Sequence, residues 1–326
     1  TIQGSDLQNN DSIKRLKKKG AKIYLNHKRT NVKNITAAVF SSAIKKTNPE
    51  ILECKKLSIP FVSRADMLVE LMREKKAIAI AGSHGKTTTT SLVGTILDYA
   101  KLDPTIINGG IINAYSKNNR FGFGKWIVVE ADESDGSFLK LPHEINIITN
   151  IDAEHLDYYK TEKKLFEAFE NFIINIPFYG YSIICIDNKY TKKLAKKIKT
   201  RNIITFGTSK NADVRIIYKG ILGFTLYDRK KNFHLLIKKN VIPKYSPYFF
   251  GKETIGSSNL LGPFETNLMG HHNILNSTAA IIASLLIGIS EEKIFYALKS
   301  FQGVRRRFTW LGDIKKSSLF DDYAHH

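Results

Sequence analysis

Apolar positions in this chain come mostly in short unbroken blocks rather than in alternation with polar ones. Residues 77–81 form one such block, and 126–129, 145–149 and 182–186 repeat it. Strands of that kind are covered on both faces, as in a parallel sheet flanked by helices. Helical spacing fills the intervals at 87–100 and 162–174, and later at 273–286 and 291–299. Ahead of this region, a polar helix over 11–19, strands over 22–25 and 37–40 and a helix over 64–75 give the rhythm of an open α/β domain. A doubly wound domain opens on a strand and a glycine-rich turn, and this chain is expected to start after both. Between about 213 and 240 the pattern becomes short alternating runs (Val214, Ile216, Tyr218; Phe224, Leu226) broken by Gly220 and Gly223, which predicts a small antiparallel meander attached to the main sheet.

The fold class that follows is α/β. A Rossmann-like N-terminal domain occupies residues 1–76, and a central P-loop ATPase domain with a parallel sheet and the small antiparallel meander occupies 77–311. Residues 312–326 are expected to begin a further, truncated domain, because Phe320-Asp321-Asp322-Tyr323 reads as a new strand running into a loop. A length of 326 residues suits two such domains with separate cores.

Lys and Arg number 50 against 30 Asp and Glu, a formal charge of +20. That balance is compatible with nucleic acid, acidic lipid or phosphorylated substrates, and equally with a lysine-rich genome whose charges sit on solvated helix faces. Cys54 and Cys185 lie far apart with no Cys/His cluster, so neither a disulfide framework nor a structural zinc site is indicated, and a reducing cytoplasm fits. The most apolar run, 279–289, is about half of the ~20 residues that span a bilayer, so no membrane segment is expected.

The chemistry begins at Gly82-Ser83-His84-Gly85-Lys86-Thr87, set between a buried strand and a helix. Amides of such a turn and of the helix N-terminus offer partial positive charge to phosphates. Lys86 would reach the terminal phosphates, Thr87 would offer its hydroxyl to Mg2+, and Thr88 continues the run, although Ile80 stands where the strict phosphate-loop pattern has its first glycine. A second block, Ile127-Val128-Val129-Glu130-Ala131-Asp132-Glu133-Ser134-Asp135, ends a strand in acids; Glu130 is the metal candidate, the alternative being helix capping. In a third, Asn150 to Asp157, His155 is a second metal ligand or a phosphate contact, with Asp157 behind it, or else a simple cap. Asn273 in Gly270-His271-His272-Asn273 either faces an adenine edge or starts the helix together with Asn276. Arg305-Arg306-Arg307 suits a nucleic-acid patch or a clamp on a transferring phosphoryl group.

These motifs, in this order and over essentially the whole chain, resemble the Mur ligases, which add amino acids to a UDP-linked muramoyl precursor. Within that family the alanine-adding pattern is the most similar, on Gly4-Ser5-Asp6-Leu7, Ser41-Ser42-Ala43-Ile44, Asn48-Pro49-Glu50, His272-Asn273, Arg306-Arg307-Phe308 and Asp321-Asp322-Tyr323-Ala324-His325-His326. The resemblance implies ATP and Mg2+ as cofactors, UDP-N-acetylmuramic acid and L-alanine as partners, an acyl-phosphate mechanism, and no nucleic acid. It assigns catalysis to Lys86, Glu130 and His155, and metal binding to Thr87, Glu130 and His155. ATP contacts fall to Gly82, Ser83, His84, Gly85, Lys86, Thr87, Thr88, Asn273, Arg306 and Arg307, and UDP-sugar contacts to Ser41 and Ser42. It also implies that this segment alone ligates weakly or not at all. Two alternatives stand beside it: a recycling ligase that attaches a ready-made peptide, and a P-loop ATPase that binds nucleic acid. Lys86→Ala is expected to abolish ligation without unfolding the chain, an exposed loop lysine adding little to stability.

Overall fold

The computed structural model describes residues 1–41, 43–113, 117–220, 222–229, 260–307, 309–315 and 317–322, arranged in two compact units, Thr1–Leu71 and Met72–His326. In the first unit, strands β1 (Gln3–Asp6) and β2 (Lys22–Leu25) pair in parallel around helix α1 (Asp11–Lys18). Strands β3 (Ala38–Phe40) and β4 (Phe61–Ser63) pair in parallel around helix α2 (Pro49–Lys56), and helix α3 (Arg64–Met72) follows. Helix α1 starts where the Asn10 side chain accepts from the Ile13 amide, and α2 where Asn48 accepts from the Glu50 amide with Pro49 in the first turn. Strands β1 and β4 and helix α2 have no counterpart in the expected elements. Helix α3 ends three residues before the expected Lys75, whose ammonium instead donates to the carbonyls of Gly122 and Gly124.

The second unit is built on one ten-stranded sheet. Its strands are β5 (Lys76–Ala81), β6 (Thr105–Ile112), β7 (Lys117–Arg120), β8 (Trp126–Glu130), β9 (Ile145–Ile148), β10 (Tyr181–Cys185), β11 (Asn202–Gly207), β12 (Val214–Lys219), β13 (Gly223–Asp228) and β14 (Leu260–Glu265). Across the sheet they run β14-β13-β12-β11-β10-β9-β5-β8-β6-β7. The seven strands from β12 to β6 are parallel, while β13, β14 and β7 pair antiparallel at the two margins. The expected meander is therefore an extension of the main sheet, with β14 as its third strand; its residues 230–240 lie outside the described residues.

Helices α4 (Lys86–Tyr99), α5 (Leu156–Tyr159), α6 (Glu162–Ile174), α7 (Lys189–Lys197), α8 (His271–Leu286) and α9 (Glu291–Ser300) connect these strands. The core explains the unbroken apolar blocks: Ile78, Ile80, Val128 and Ile147 are all fully buried, under Leu92, Val93, Ile96 and Leu97 of α4. Each of those α4 side chains contributes about 1.5–3 kcal/mol by leaving water. Helix α8 lies against α4 and the face of β9–β11, which is why the run 279–283 is buried all round. None of the described helices is long and apolar enough to cross a membrane. After α9 the chain forms an antiparallel hairpin of β15 (Thr309–Ile314) and β16 (Ser317–Asp321), so the strand expected near Phe320 is the second arm of a hairpin.

Candidate active site

The central strand β5 is flanked by β8 and β9, in register Ile80↔Glu130 and Ala81↔Ile148. Three adjacent strands thus end side by side at one edge of the sheet, and the segments leaving them carry most of the expected site. In an open parallel sheet this edge, at the carboxyl ends of the strands, is where ligands gather.

The turn after β5 is locked to the turn after β9. The amides of Ser83 and His84 donate to the backbone oxygen and the Oδ1 of Asn150, at 3.2 and 2.8 Å. The Thr149 hydroxyl and the Asn150 amide group donate to the His84 carbonyl, and Ser83 Oγ accepts from the Asp152 amide. His84 Nε2 lies 3.2 Å from Asp152 and 3.5 Å from Glu154. Gly85 caps α4 with φ +83°, and a Cβ there would sit 2.5 Å from Asn276 Oδ1, so glycine is required both for the left-handed turn and for the close approach of α8. The first turn of α4, Lys86, Thr87 and Thr88, presents amides that precede the first helical bond, Thr89 to Gly85, and so have no intrahelical acceptor. A cavity beside this turn is lined by Gly85, Thr87, Thr88, Asn273, Asn276 and Arg307.

Lys86 is not an exposed loop side chain. Its Nζ donates to the Gly82 carbonyl at 2.6 Å, the Ser83 carbonyl at 3.2 Å and Glu133 Oε1 at 2.8 Å, and only 15% of the side chain is accessible. The expected reading of Lys86 as an exposed loop lysine is corrected by this burial and pairing. Glu133 is 1% exposed, and its Oε2 has no hydrogen-bond partner among the described residues. Burial pushes the Glu133 carboxyl above the usual range, and the Lys86 ammonium pulls it back. Burial, with Glu133 adding to it, likewise raises the Tyr159 phenol, which donates to the Glu133 carbonyl.

Thr87 and Glu130 meet: the hydroxyl donates to Glu130 Oε1 at 3.1 Å, while Gly109 N–H donates to Oε2 at 2.7 Å. Gly109 and Gly110 of β6 bring that strand against the pair; a Cβ on Gly110 would lie 2.6 Å from Thr87 Cγ2. His155 occupies the left-handed position before α5, 3.8 Å from Glu133 Oε1, and it can present a ring nitrogen together with Glu133 and Glu154 within 4.8 Å of one another. Asp157, expected behind His155, is exposed on the first turn of α5, and the carboxylates beside the ring are Glu133 and Glu154. The Thr87 hydroxyl and Glu130 carboxylate are oxygen donors of the kind that suits Mg2+, and the group of Glu133, Glu154 and His155 offers carboxylate oxygens beside a ring nitrogen, with Glu133 Oε2 buried and without a hydrogen-bond partner among the described residues.

Asn273 is buried at the start of α8, donating to the Met269 carbonyl at 2.7 Å and accepting from Asn276, which in turn accepts from the Thr89 hydroxyl. Its amide thus joins α8 to α4 and also borders the cavity. The three arginines diverge. Arg307 reaches Thr87 Oγ1 at 3.5 Å, Arg306 Nε lies 3.6 Å from Asp321 of the hairpin, and Arg305 is exposed. Ser41 follows β3 in the first unit, where its hydroxyl accepts from the Ala43 amide, and Ser42 lies outside the described residues. Residues 323–326 and Phe308, which carry part of the resemblance, also lie outside them.

Sequence reasoning singled out neither Glu133 nor Glu154, nor Asn108, whose amide donates to Ser91 Oγ at 2.7 Å beneath Thr87. The paired glycines after Asn108 were the available signal, since two adjacent glycines inside an apolar strand mark close backbone approach.

The Mur ligase middle domain profile matches residues 80–284, and the profile described as the Mur ligase family catalytic domain matches residues 1–76. UDP-N-acetylmuramate–L-alanine ligases of Methylorubrum populi and Azorhizobium caulinodans are 45% and 46% identical to the chain over its whole length. The chain spans 66% of each of those relatives. The crystal structure of the UDP-N-acetylmuramate-alanine ligase of Thermotoga maritima superposes with a TM-score of 0.77 at 25% identity, covering 100% of this chain and 69% of that one. A murein peptide ligase of Psychrobacter arcticus shares the fold, with a TM-score of 0.79 at 22% identity over 100% of this chain and 68% of its own. With a phosphate-type loop at the crest of a parallel sheet and two family profiles matching either side of residues 77–79, the chain belongs to the Mur ligase family.

Proposed function

We propose that the protein carrying this chain joins L-alanine to UDP-N-acetylmuramic acid at the expense of ATP, a step of peptidoglycan synthesis. The observation that carries the reading is the 45–46% identity, over every part of the chain, to relatives named for that reaction. In it, residues 1–76 hold the UDP-sugar, with Ser41 and Ser42 among the contacts, residues 77–311 hold ATP, and 312–326 open a third domain. The reaction runs in the cytoplasm, where ATP and the nucleotide sugar are found.

The γ-phosphoryl group passes to the muramoyl carboxylate, giving an acyl phosphate and ADP; the alanine amine then attacks the acyl carbon, forms the amide and expels phosphate. Most of the work is placement and charge neutralisation. The amides of Gly85 and of the first turn of α4, Thr88 included, receive the phosphates, while the amides of Ser83 and His84 are held by Asn150 and fix the shape of the turn. Lys86 and Arg307 supply positive charge on either side of Thr87, Asn273 borders the base, and Arg306 stands behind, toward the hairpin. Thr87, Glu130 and His155 would hold Mg2+, whose charge offsets that of the phosphates.

Phosphate release by the full-length protein tests this. With MgATP and UDP-N-acetylmuramic acid present, L-alanine should stimulate release. Stimulation only by the L-Ala-γ-D-Glu-diaminopimelate tripeptide would assign the protein to peptide recycling instead, and silence with both would refute ligation.

A further inference from the structure

The Lys86 ammonium has three protons to donate, and each has a partner within the chain: two carbonyls of its own turn and the carboxylate of Glu133. The carbonyls are neutral and fixed by the loop. Glu133 is the charged partner, almost wholly shielded from water, and it comes from the separate segment that follows β8. A phosphate reaching Lys86 therefore brings a second anion to an ammonium that is already neutralised, and it does so within the reach of a buried carboxylate whose other oxygen is bare. At low local dielectric two anions sharing one cation repel strongly.

From this arrangement we infer that Glu133 is a positioning residue that stores Lys86 as a closed ion pair, and that nucleotide binding is an exchange in which phosphate displaces Glu133 from the ammonium. The inference rests on the reading of this loop as a nucleotide site. Its consequence is a fixed opposition between order and affinity. The pair keeps the lysine folded against the loop before nucleotide arrives, and it weakens the complex with any ligand whose charge Lys86 must neutralise. An uncharged ligand that uses only the base and sugar contacts is indifferent to it.

The test is titration calorimetry with ADP and with adenosine, both without magnesium, on the full-length protein and its Glu133→Gln and Glu133→Asp variants. Glu133→Gln keeps the shape and a hydrogen-bond acceptor for Lys86 but removes the charge, so it should bind ADP about tenfold more tightly while adenosine affinity stays unchanged. Glu133→Asp keeps the charge and should return ADP affinity toward the unmodified value, which a purely structural role for Glu133 would not produce. Equal or weaker ADP binding by Glu133→Gln would overturn the exchange, as would a parallel change in adenosine affinity. Failure of the unmodified protein to bind ADP at all would overturn the nucleotide site itself along with it.

Discussion

Replacing Gly85 with alanine isolates the contact that sets α8 against the phosphate-type loop. The residue has φ +83°, and the added Cβ would stand 2.5 Å from Asn276 Oδ1 and 3.3 Å from Cγ. A left-handed non-glycine residue costs roughly 1–2 kcal/mol. The overlap adds to this, because the Asn276 amide has to swing away from both Thr89 and Asn273, and each lost hydrogen bond is worth about 1 kcal/mol. The sum is on the order of 3–4 kcal/mol. Gly288 supplies the reference: its φ is +89° and nothing stands within 4 Å of its Cβ position, so Gly288→Ala carries the backbone cost alone. The stiffening of the unfolded chain by alanine is common to both variants and cancels in the comparison. Urea unfolding of the two variants should therefore separate them by about 2 kcal/mol. In the Asn276→Ala background, where the overlapping atoms are gone, Gly85→Ala should fall to the Gly288 value. Equal costs for Gly85→Ala and Gly288→Ala in the unmodified background would refute the close approach.

Other consequences are as direct. Lys86→Ala should abolish ligation and also destabilise the chain by about 3–5 kcal/mol, since it leaves Glu133 buried without its cation; adding Glu133→Gln should recover most of the stability and none of the activity, and a fully stable single variant would contradict the pairing. His143 is buried with its ring 4.4 Å from Phe172, and burial holds its pKa below the ordinary 6.5. Its contribution to stability is present above pH 6.5 and lost as pH falls through the lowered folded value, so unfolding free energy should decline with acid more steeply in the unmodified protein than in His143→Gln. Burial raises the Glu291 carboxyl above its ordinary 4.5 although it accepts from the Gly262 amide. The stability it gives is present below pH 4.5 and is lost as pH rises through the folded value. Glu291→Gln should remove that loss and be the more stable form at pH 7; a less stable variant would show that the charge is needed.

What the sequence made legible were elements whose identity is decided by burial on both faces. Strands β5, β8 and β9 and the run 279–283 of helix α8 are mostly apolar and buried on all sides. The elements that escaped depend on their neighbours. Strand β7 is Lys-Asn-Asn-Arg, polar because it lies at the sheet margin, and β6 hides behind Asn108-Gly109-Gly110, a sequence that reads as a turn until Thr87 and Glu130 are brought against it. Helix α7 is mostly charged and buries only Thr191 and Leu194. In the site, the loop and Glu130 were found by their position after a strand. Glu133 was not, because four acids within Glu130 to Asp135 look alike in sequence, and only the fold makes one of them 1% exposed beside Lys86. The arginines were read as one cluster because they are consecutive, yet Arg307 reaches Thr87, Arg306 lies beside Asp321 and Arg305 is exposed.

The placement of β5 between β8 and β9 has a bearing on how the chain is made. Both neighbours of the central strand are encoded after it, so an apolar ribbon, Ala77 to Ala81, leaves the ribosome with neither edge covered. The edge that β8 covers waits for residues 82–130, and the edge that β9 covers waits until the 67 residues of 82–148 have followed. At about 5–20 residues per second, that wait is roughly three to thirteen seconds. Over that interval the strand that later carries the phosphate-type loop is open to mispairing and to capture by chaperones, and synonymous changes that slow translation between residues 82 and 148 would lengthen that exposure without altering a single side chain.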